Sequence, residues 1–290
     1  MMFDYHIHPN YSIDATGEVE EFCRAALRVG LKEIAFTTHL DSDRAGEDYY
    51  VIVEGEQVDV SSSFWFEDYE STIRAAGDRY EEQGVRVLLG VEVDCFPGVQ
   101  GALPERFFST DFDFVIGSVH LIDHIAISAN GRAEEAFRKY SLDELGEKYY
   151  SILLDSIDLE IFDVLAHIDL YRRYGEVFYG ESIHDLWKPH VVELSRKMKS
   201  KSVGFEVNTS SLRRGMQQPM PEERIIHALK HEGIDIVTVG SDAHTPIDVG
   251  KGIKAALEII REAGFEGISS YRRRNSSIVP WSSLSSEKQN

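Results

Sequence analysis

The feature that most limits the fold of this chain is a series of seven short apolar runs separated by longer stretches of helical periodicity. The runs are rich in β-branched and aromatic residues, and nearly all of them end on His, Asp or Glu: MFDYHIH, EIAFTTH, VRVLLGVEVD, FDFVIGSVH, FDVLAHID, SVGFEVNT and DIVTVGSDAH. Apolar strands that alternate with helices are typical of a parallel sheet built from βα units. The sequence therefore predicts an α/β protein.

Helical periodicity fills most of the connections between these predicted strands. The third connection, CFPGVQGALPERFFST, is too short for a full helix, and we expect one turn near 104–108. Thr16 is the predicted N-cap of the first helix, because Glu18 and Glu20 then lie in the first turn, where the helix dipole favours acidic side chains. The predicted helices lie at about 17–29, 66–83, 134–156, 181–200, 221–232 and 247–263.

The chain is predicted to form one domain, because no linker rich in Pro, Gly or Ser divides its 290 residues and no internal repeat is visible. We expect a barrel domain over 1–270 and a tail over 271–290 that is partly disordered, since the tail has little periodicity. An insertion at about 41–66 mixes charged and aromatic residues. It is either a lid over a site or a long surface loop.

Composition argues against several classes of function. A net charge of −20 does not suit a nucleic-acid surface, which needs clustered Lys and Arg. No window approaches the roughly 18 apolar residues of a membrane helix, and the N-terminus lacks a signal-peptide pattern. We expect a cytoplasmic protein with neither nucleic acid nor membrane as a partner. Two cysteines, Cys23 and Cys95, are too few for a disulfide framework, and we expect buried thiols.

Imidazole and carboxylate groups collect at the C-terminal ends of the predicted strands, the end of a parallel barrel that carries functional groups. His6 and His8 share one face of the first strand, because residues i and i+2 point the same way. Each histidine alone could be an ordinary core residue. Together these groups exceed what one ion needs, and they suit two or three ions of Zn, Mn or Fe. The set is His6, His8, Asp14, His39, Glu92, His120, His167, Asp242 and His244.

The motifs HIH, TTH, GVEVD, GSVH, AHID and GSDAH resemble those of the PHP superfamily, named for polymerase and histidinol phosphatase. From the first strand to the seventh, the resemblance implies a distorted seven-stranded (β/α)7 barrel, similar to a TIM barrel, with three divalent transition metal ions at the C-terminal ends of the strands. It implies one ion held by His6, His8, Glu92 and Asp242, a second by Glu92, His120 and His167, and a third by Asp14, His39 and His244. Some members have His in place of Asp14, so the third site could differ in affinity or preferred metal.

Two further stretches, HIDLYRRYG and FEVNTSSLRRG, are similar to the stand-alone histidinol-phosphate phosphatases of that superfamily. This resemblance implies a hydrolase of phosphoric monoesters that acts on histidinol phosphate in histidine biosynthesis. Glu92, Asp242 and His244 would be the catalytic residues. Another small phosphate ester is the alternative substrate. An amidohydrolase, which typically has eight strands, and a non-catalytic metal-binding module are the other interpretations.

An acidic protein that binds a phosphate needs local positive charge. Two arginine pairs, Arg172 with Arg173 and Arg213 with Arg214, follow the fifth and sixth predicted strands. Because a guanidinium group can hold two phosphate oxygens at once, we predict that one member of each pair faces the phosphate. Arg173 and Arg213 are the first choices, and Arg172 follows closely. The alternative for both pairs is a role in surface ion pairs.

Several other polar residues receive weaker predictions. Asp94 and Asp169 are expected to support a metal-ligating His or an Arg. In the insertion, Asp43, Glu47 and Tyr49 could close over the cationic end of the substrate. The remaining histidines are expected in loops or on helix surfaces without a metal: His124, His184, His190, His227 and His231.

Overall fold

The computed structural model describes residues 2–46 and 48–284, and seven parallel strands form its central sheet. Neighbouring strands in the sheet are also consecutive along the chain. The gap between the last strand and the first is closed in part by a parallel bridge between Ile7 and Ala243, where the His8 amide donates to the Ala243 carbonyl oxygen at 2.9 Å. The strands are β1 (Met2–Ile7), β2 (Leu31–Phe36), β3 (Arg86–Asp94), β4 (Phe114–Ser118), β5 (Val164–Leu165), β6 (Gly204–Asn208) and β7 (Val237–Gly240). This nearly closed (β/α)7 barrel confirms the predicted fold.

Helices occupy the connections between the strands. They are α1 (Val19–Val29), α2 (Ser63–Glu81), α3 (Val99–Ala102), α4 (Glu105–Ser109), α5 (Ala133–Lys139), α6 (Leu142–Asp158), α7 (Arg172–Tyr179), α8 (Val191–Lys201), α9 (Ser210–Arg213), α10 (Glu223–His231), α11 (Ile253–Glu262) and α12 (Trp281–Leu284). Two 3-10 helices cover Gly180–Asp185 and Pro246–Asp248. Within the described residues, no helix has both the length and the apolar character needed to span a membrane.

Local capping explains where the helices depart from the predicted ranges. The helix predicted over 134–156 is two helices, because Ser141 accepts a hydrogen bond from the Glu144 amide and starts α6 afresh. The first helix is capped by Glu18 instead of Thr16, in a reciprocal capping box with Glu21. The helix predicted over 181–200 begins only at Val191. The single turn expected near 104–108 is α4 and is confirmed.

The insertion after β2 is built on the barrel. A two-residue strand, His39–Leu40, pairs in parallel with Glu92–Val93 of β3 and sets His39 directly opposite Glu92. A hairpin follows, in which Tyr50–Val53 pairs with Glu56–Asp59, and α2 then begins at Ser63. The region predicted as an insertion, 41–66, therefore follows directly after the short strand that carries His39, and it contains a hairpin and the start of α2.

The boundary predicted at residue 271 falls inside a hairpin. Gly267–Arg272 and Asn275–Pro280 pair as antiparallel strands, so the described part of the predicted tail is ordered secondary structure. Tyr271 is buried against Phe114, at the start of β4, with the ring centroids 4.9 Å apart. Its backbone amide donates to the Tyr5 hydroxyl at 2.8 Å. The expected disorder at 285–290 concerns residues outside those that the structure describes.

Candidate metal centre

The carboxylate of Glu92 lies at the centre of the predicted ligands. Its side chain is buried on β3, and its Oε2 atom faces three imidazoles, which come from β1, the residue after it and the short strand His39–Leu40. That oxygen lies 3.3 Å from His6 Nε2 and 3.4 Å from His8 Nε2. It lies 3.0 Å from His39 Nδ1, as the pairing of the short strand with β3 requires.

The second oxygen of Glu92 faces the opposite half of the barrel. Oε1 lies 3.1 Å from His167 Nε2 and 3.7 Å from His120 Nε2. These two histidines follow β5 and β4, and their ring centroids are 5.2 Å apart. One carboxylate therefore contacts two separate groups of imidazoles, one group on each oxygen.

The remaining predicted ligands form a third group on the solvent side of His8. Asp242 Oδ1 lies 3.4 Å from His8 Nε2 and 3.4 Å from His244 Nδ1. Asp14 Oδ2 lies 3.2 Å from His244 Nε2, and its other oxygen lies 3.8 Å from His39 Nε2. All nine residues predicted as ligands thus come together at the C-terminal ends of the strands, and we refer to them as the ligand cluster.

The ligand cluster contains buried nitrogen and oxygen atoms that form no hydrogen bond within the protein. Among the described residues, His6 Nε2, His8 Nε2, His39 Nδ1 and Glu92 Oε2 have no hydrogen-bond partner. Leaving such atoms buried and unpaired is costly, and coordination to a cation removes that cost. Four overlapping triplets of residues can each offer three nitrogen or oxygen atoms that lie within 4.8 Å of one another. The geometry and the donor types fit divalent ions such as zinc, without a thiolate ligand.

Charges within the cluster shift the pKa values of its members in opposite directions, and Glu92 raises the pKa of His39 to about 10 against the effect of burial. Burial alone would raise the pKa of Glu92, but the neighbouring His6 and His39 hold that pKa well below its ordinary value. Burial lowers the pKa of His8 well below its ordinary value, and the rings of His244 and His39 lower it further. Glu92 is therefore an anion and His8 a neutral imidazole at neutral pH.

A buried carboxylate on β6, Glu206, holds the inner histidines in place, although the sequence analysis did not single it out. Its Oε1 atom lies 2.7 Å from His6 Nδ1, and its Oε2 atom accepts a hydrogen bond from the His167 amide at 3.3 Å. A Cβ at Gly240 would lie 2.1 Å from Glu206 Oε1, so glycine leaves the space that this carboxylate needs. The contact directs His6 Nε2 towards Glu92. The one sequence signal was an acidic residue within an apolar strand.

Asp41 and Asp94 lie next to His39 and His120. Asp41 forms one of the four candidate ligand triplets with these two histidines, and burial raises its pKa to about 7. Asp94 accepts a hydrogen bond from the His120 amide at 2.9 Å, and its Oδ1 lies 3.6 Å from His120 Nδ1. The structure therefore places Asp94 in the supporting position predicted for it, whereas Asp41 was missed.

A cavity of about 460 Å³ opens beside the ligand cluster, and three arginines line it. Arg173 and Arg214 come one from each predicted pair, and the third is Arg132. Arg173 Nε is buried and has no hydrogen-bond partner within the described part of the chain. Burial lowers the pKa of Arg173, and the positive charge of Arg214 lowers it further. Two neighbouring cations beside a cluster of metal ligands have the charge that suits an anion.

The other member of each arginine pair is engaged elsewhere, which follows the predicted order for Arg172 and Arg173 and reverses it for Arg213 and Arg214. Arg172 is buried, donates to Asp169 Oδ2 at 2.6 Å and does not line the cavity. Arg213, predicted first in its pair, donates to the carbonyl oxygens of Ser241 and Asp242 at 2.7 and 2.9 Å. Local sequence could not order the members of a pair, because the tertiary partners decide which guanidinium is already occupied.

The insertion contributes acidic side chains to the same cavity. Asp41, Asp43 and Asp48 line it. Asp43 Oδ2 lies 2.5 Å from Nδ1 of His124, which belongs to the hairpin after β4. Tyr49, in contrast, does not line the cavity and has the guanidinium carbon of Arg44 4.5 Å from its ring centroid. Glu47 lies outside the described residues.

The remaining histidines and both cysteines lie outside the ligand cluster. His184 Nδ1 lies 2.7 Å from Glu222 Oε2, and His190 stacks on Tyr150 with centroids 4.5 Å apart. His227 and His231 are exposed on α10. Cys23 and Cys95 are buried free thiols.

Comparison with known proteins identifies the family. Residues 4–210 match the model of the PHP domain, which is more than half of the chain. The protein belongs to the PHP family. The resemblance inferred from the strand-end motifs is therefore confirmed, and the seven strands of the barrel do not match the eight typical of an amidohydrolase.

Similar PHP proteins have been named in other organisms. The chain is 26% identical over 271 residues to the "Probable histidinol-phosphatase" of Deinococcus radiodurans, and the alignment covers 93% of this chain and 97% of that protein. It is 24% identical over 270 residues to the "Histidinol-phosphatase" of Lactococcus lactis, covering 92% and 93% of the two chains.

A solved structure has the same fold. The crystal structure of histidinol phosphate phosphatase from Lactococcus lactis, complexed with zinc, L-histidinol and phosphate, superimposes with a TM-score of 0.76 at 21% identity. The match covers 95% of this chain and 98% of that one. It shows that the two proteins have the same barrel over almost their entire lengths.

Proposed function

We propose that this PHP protein is a metal-dependent phosphomonoesterase that hydrolyses L-histidinol phosphate to L-histidinol and phosphate, in the cytoplasm and as part of histidine biosynthesis. The observation that carries the proposal is the placement of Arg173 and Arg214 beside the ligand cluster in one cavity. This pairing of an anion site with a metal-ligand set suits a phosphate ester. The relatives named histidinol-phosphatase support the choice of substrate.

Three divalent transition metal ions, of zinc, manganese or iron, are the proposed cofactors. Bound ions of this kind lower the pKa of a coordinated water and neutralise charge on phosphoryl oxygens. The overlapping triplets of ligand atoms support more than one ion, and zinc in the Lactococcus lactis structure supports the metal type. The proposed sites are His6, His8, Glu92 and Asp242 for the first ion, Glu92, His120 and His167 for the second, and Asp14, His39 and His244 for the third.

The chain's own side chains would then have distinct roles. Glu92 would join two sites, because each of its oxygens faces a different group of imidazoles. Asp242 and His244 would hold ions next to the phosphate. Arg173 and Arg214 would bind the phosphate oxygens and stabilise the charge that develops during transfer, since both line the cavity.

The acidic wall of the cavity suits the other end of the proposed substrate. Histidinol phosphate has an amine and an imidazole beyond its phosphate, and both can be cationic. Asp41, Asp43 and Asp48 line the cavity that also contains Arg173 and Arg214. We propose that these carboxylates select a cationic alcohol over a neutral one, because opposite charges attract strongly in a partly buried cavity.

A substrate panel tests this proposal. The metal-loaded protein would be assayed for phosphate release from histidinol phosphate, a sugar phosphate, a nucleoside monophosphate and an aryl phosphate, with an amide and a phosphodiester as further substrates. The proposal expects the highest kcat/KM for histidinol phosphate. A higher value for another monoester would change the substrate. Turnover of the amide or diester alone would reject the phosphomonoesterase assignment.

A further inference from the structure

We infer that Arg172 is a positioning residue for two of the arginines that face the cavity, Arg173 and Arg214, although it does not face the cavity itself. The inference rests on the proposed function, because it concerns how the phosphate site is held in shape. It also explains why an arginine outside the ligand cluster is buried.

Arg172 is held rigidly within the loop that follows β5. It is the first residue of α7, its side chain is 2% exposed, and its Nε donates to Asp169 Oδ2 at 2.6 Å. Asp169 is itself fully buried and lies two residues after His167 of the ligand cluster. Arg173 is the next residue along α7, so the direction of its side chain depends on how Arg172 is fixed.

The same guanidinium reaches the loop that follows β6. Its Nη2 atom donates to the Pro219 carbonyl oxygen, and its Nη1 atom lies 3.7 Å from Glu222 Oε2. The Glu222 backbone amide donates to Asp169 Oδ2 at 2.9 Å, the oxygen that Arg172 also contacts. Asp169, Arg172 and Glu222 therefore cross-link the two loops, and we call these three residues the Arg172 network.

The loop held by this network carries Arg214. Asn208, at the end of β6, and Met220 are joined by two reciprocal backbone hydrogen bonds of 2.7 and 2.9 Å, which close the loop between them. On the outward limb, Arg213 is bound to carbonyl oxygens after β7, which leaves Arg214 directed into the cavity. On the return limb, Arg172 holds Pro219. The loop is thus fixed on both limbs, with the phosphate-facing side chain between them.

Such fixing has an energetic reason. Burial lowers the pKa of Arg173, and the neighbouring charge of Arg214 lowers it further, so Arg173 is held in a position that is unfavourable for its charge when no anion is bound. If both side chains are already held in place, less side-chain entropy is lost when phosphate binds. Arginine suits the task better than lysine, because its planar fork can contact a carboxylate and a carbonyl at the same time.

The test compares Arg172→Met and Arg172→Lys in the metal-loaded enzyme. We expect Arg172→Met to raise both the KM for a hydrolysed monoester and the inhibition constant of inorganic phosphate by about tenfold, with kcat within about threefold and metal content unchanged. Arg172→Lys should recover less than half of that loss, since an ammonium cannot replace both contacts. Arg224→Met is the matched control, because Arg224 also contacts Glu222 but is half exposed and reaches neither Asp169 nor Pro219.

A double-mutant cycle separates positioning from general loss of structure. In a background of Arg173→Ala with Arg214→Ala, the further change Arg172→Met should leave the inhibition constant of phosphate unchanged within twofold, because the residues it positions are gone. An equal tenfold loss in both backgrounds would overturn the inference. If Arg172→Met does not fold, Arg172→Lys is carried through the same cycle with the same criterion.

The readouts also separate this inference from the proposed function. Phosphate inhibition is measured with whichever monoester the enzyme hydrolyses, so a substrate other than histidinol phosphate would alter the proposed function and leave the inference standing. Unchanged phosphate inhibition in both Arg172 variants would overturn the inference and leave the proposed function standing.

Discussion

At the scale of single residues, Glu92 determines how the ligand cluster is organised. It lies on β3, directly opposite the short strand that carries His39, and its two oxygens face histidines from opposite halves of the barrel. Asp14 also contacts imidazoles through both of its carboxylate oxygens, but its side chain is exposed. Glu92 makes such contacts while it is buried. Its loss should therefore affect two metal sites at once.

We predict that Glu92→Gln is the most damaging single substitution in the ligand cluster. An amide has the same shape but no charge, so it should lower the metal content by at least one ion per chain and reduce kcat by about a thousandfold or more. Elemental analysis and phosphate release measure the two effects. Glu258→Gln, at an exposed position of α11, is the control. Full metal content and full turnover in Glu92→Gln would contradict the bridging role.

The cavity arginines give a second prediction at this scale. Arg173→Ala and Arg214→Ala should each lower kcat/KM by about a hundredfold, or about 2.7 kcal/mol of transition-state stabilisation, without changing the metal content. Arg196→Ala serves as the control, because this arginine is exposed on α8. If each cavity substitution left kcat/KM within about threefold of the unmodified enzyme, the metals alone would have to bind the phosphate.

At the scale of elements, the insertion is partly core and partly cavity wall. Val51, Val53 and Val60 are buried, and the Ile52 amide donates to the Tyr11 carbonyl oxygen at 2.9 Å. Deleting 43–62 would therefore remove packed residues and damage the barrel. The acidic residues that precede the hairpin can instead be changed one at a time.

Asp43→Asn and Asp48→Asn should change substrate preference. Each neutral side chain should raise the KM for histidinol phosphate by about fivefold to tenfold, while the KM for an aryl phosphate stays within about twofold, because the aryl group is not cationic. Glu56→Gln, exposed in the same insertion, is the matched control. An equal rise on both substrates would indicate that these carboxylates support the loop instead of selecting the substrate.

Elements also show where sequence reasoning succeeds and where it stops. The barrel strands and the ligand cluster were predictable, because a strand's apolar pattern and the polar residue at its end are both local signals. Glu206 was missed, since its contact with His6 joins residues 200 positions apart in the sequence. The C-terminal hairpin was missed as well, because Asn275–Pro280 is largely exposed and lacks an apolar period. Which arginine of each pair is free depended on carbonyl groups that only the fold brings near.

At the scale of the whole molecule, a chain with a net charge of −20 nevertheless places arginines beside its ligand cluster. Nitrogen and oxygen ligands from all but one of the seven barrel strands or the loops after them meet at one cavity, which three arginines also line. We propose that this cavity contains a multinuclear metal centre that hydrolyses a phosphate monoester. Metal removal and return address that claim without any substitution.

The most direct measurement is phosphate release from L-histidinol phosphate by protein stripped with a chelator and then titrated with zinc or manganese. Circular dichroism at each step would verify that the stripped protein is still folded. We predict no turnover without metal, and recovery that continues beyond one metal equivalent per chain, because each oxygen of Glu92 faces a separate group of histidines. Turnover by the stripped protein, or full recovery at one equivalent, would contradict the multinuclear centre.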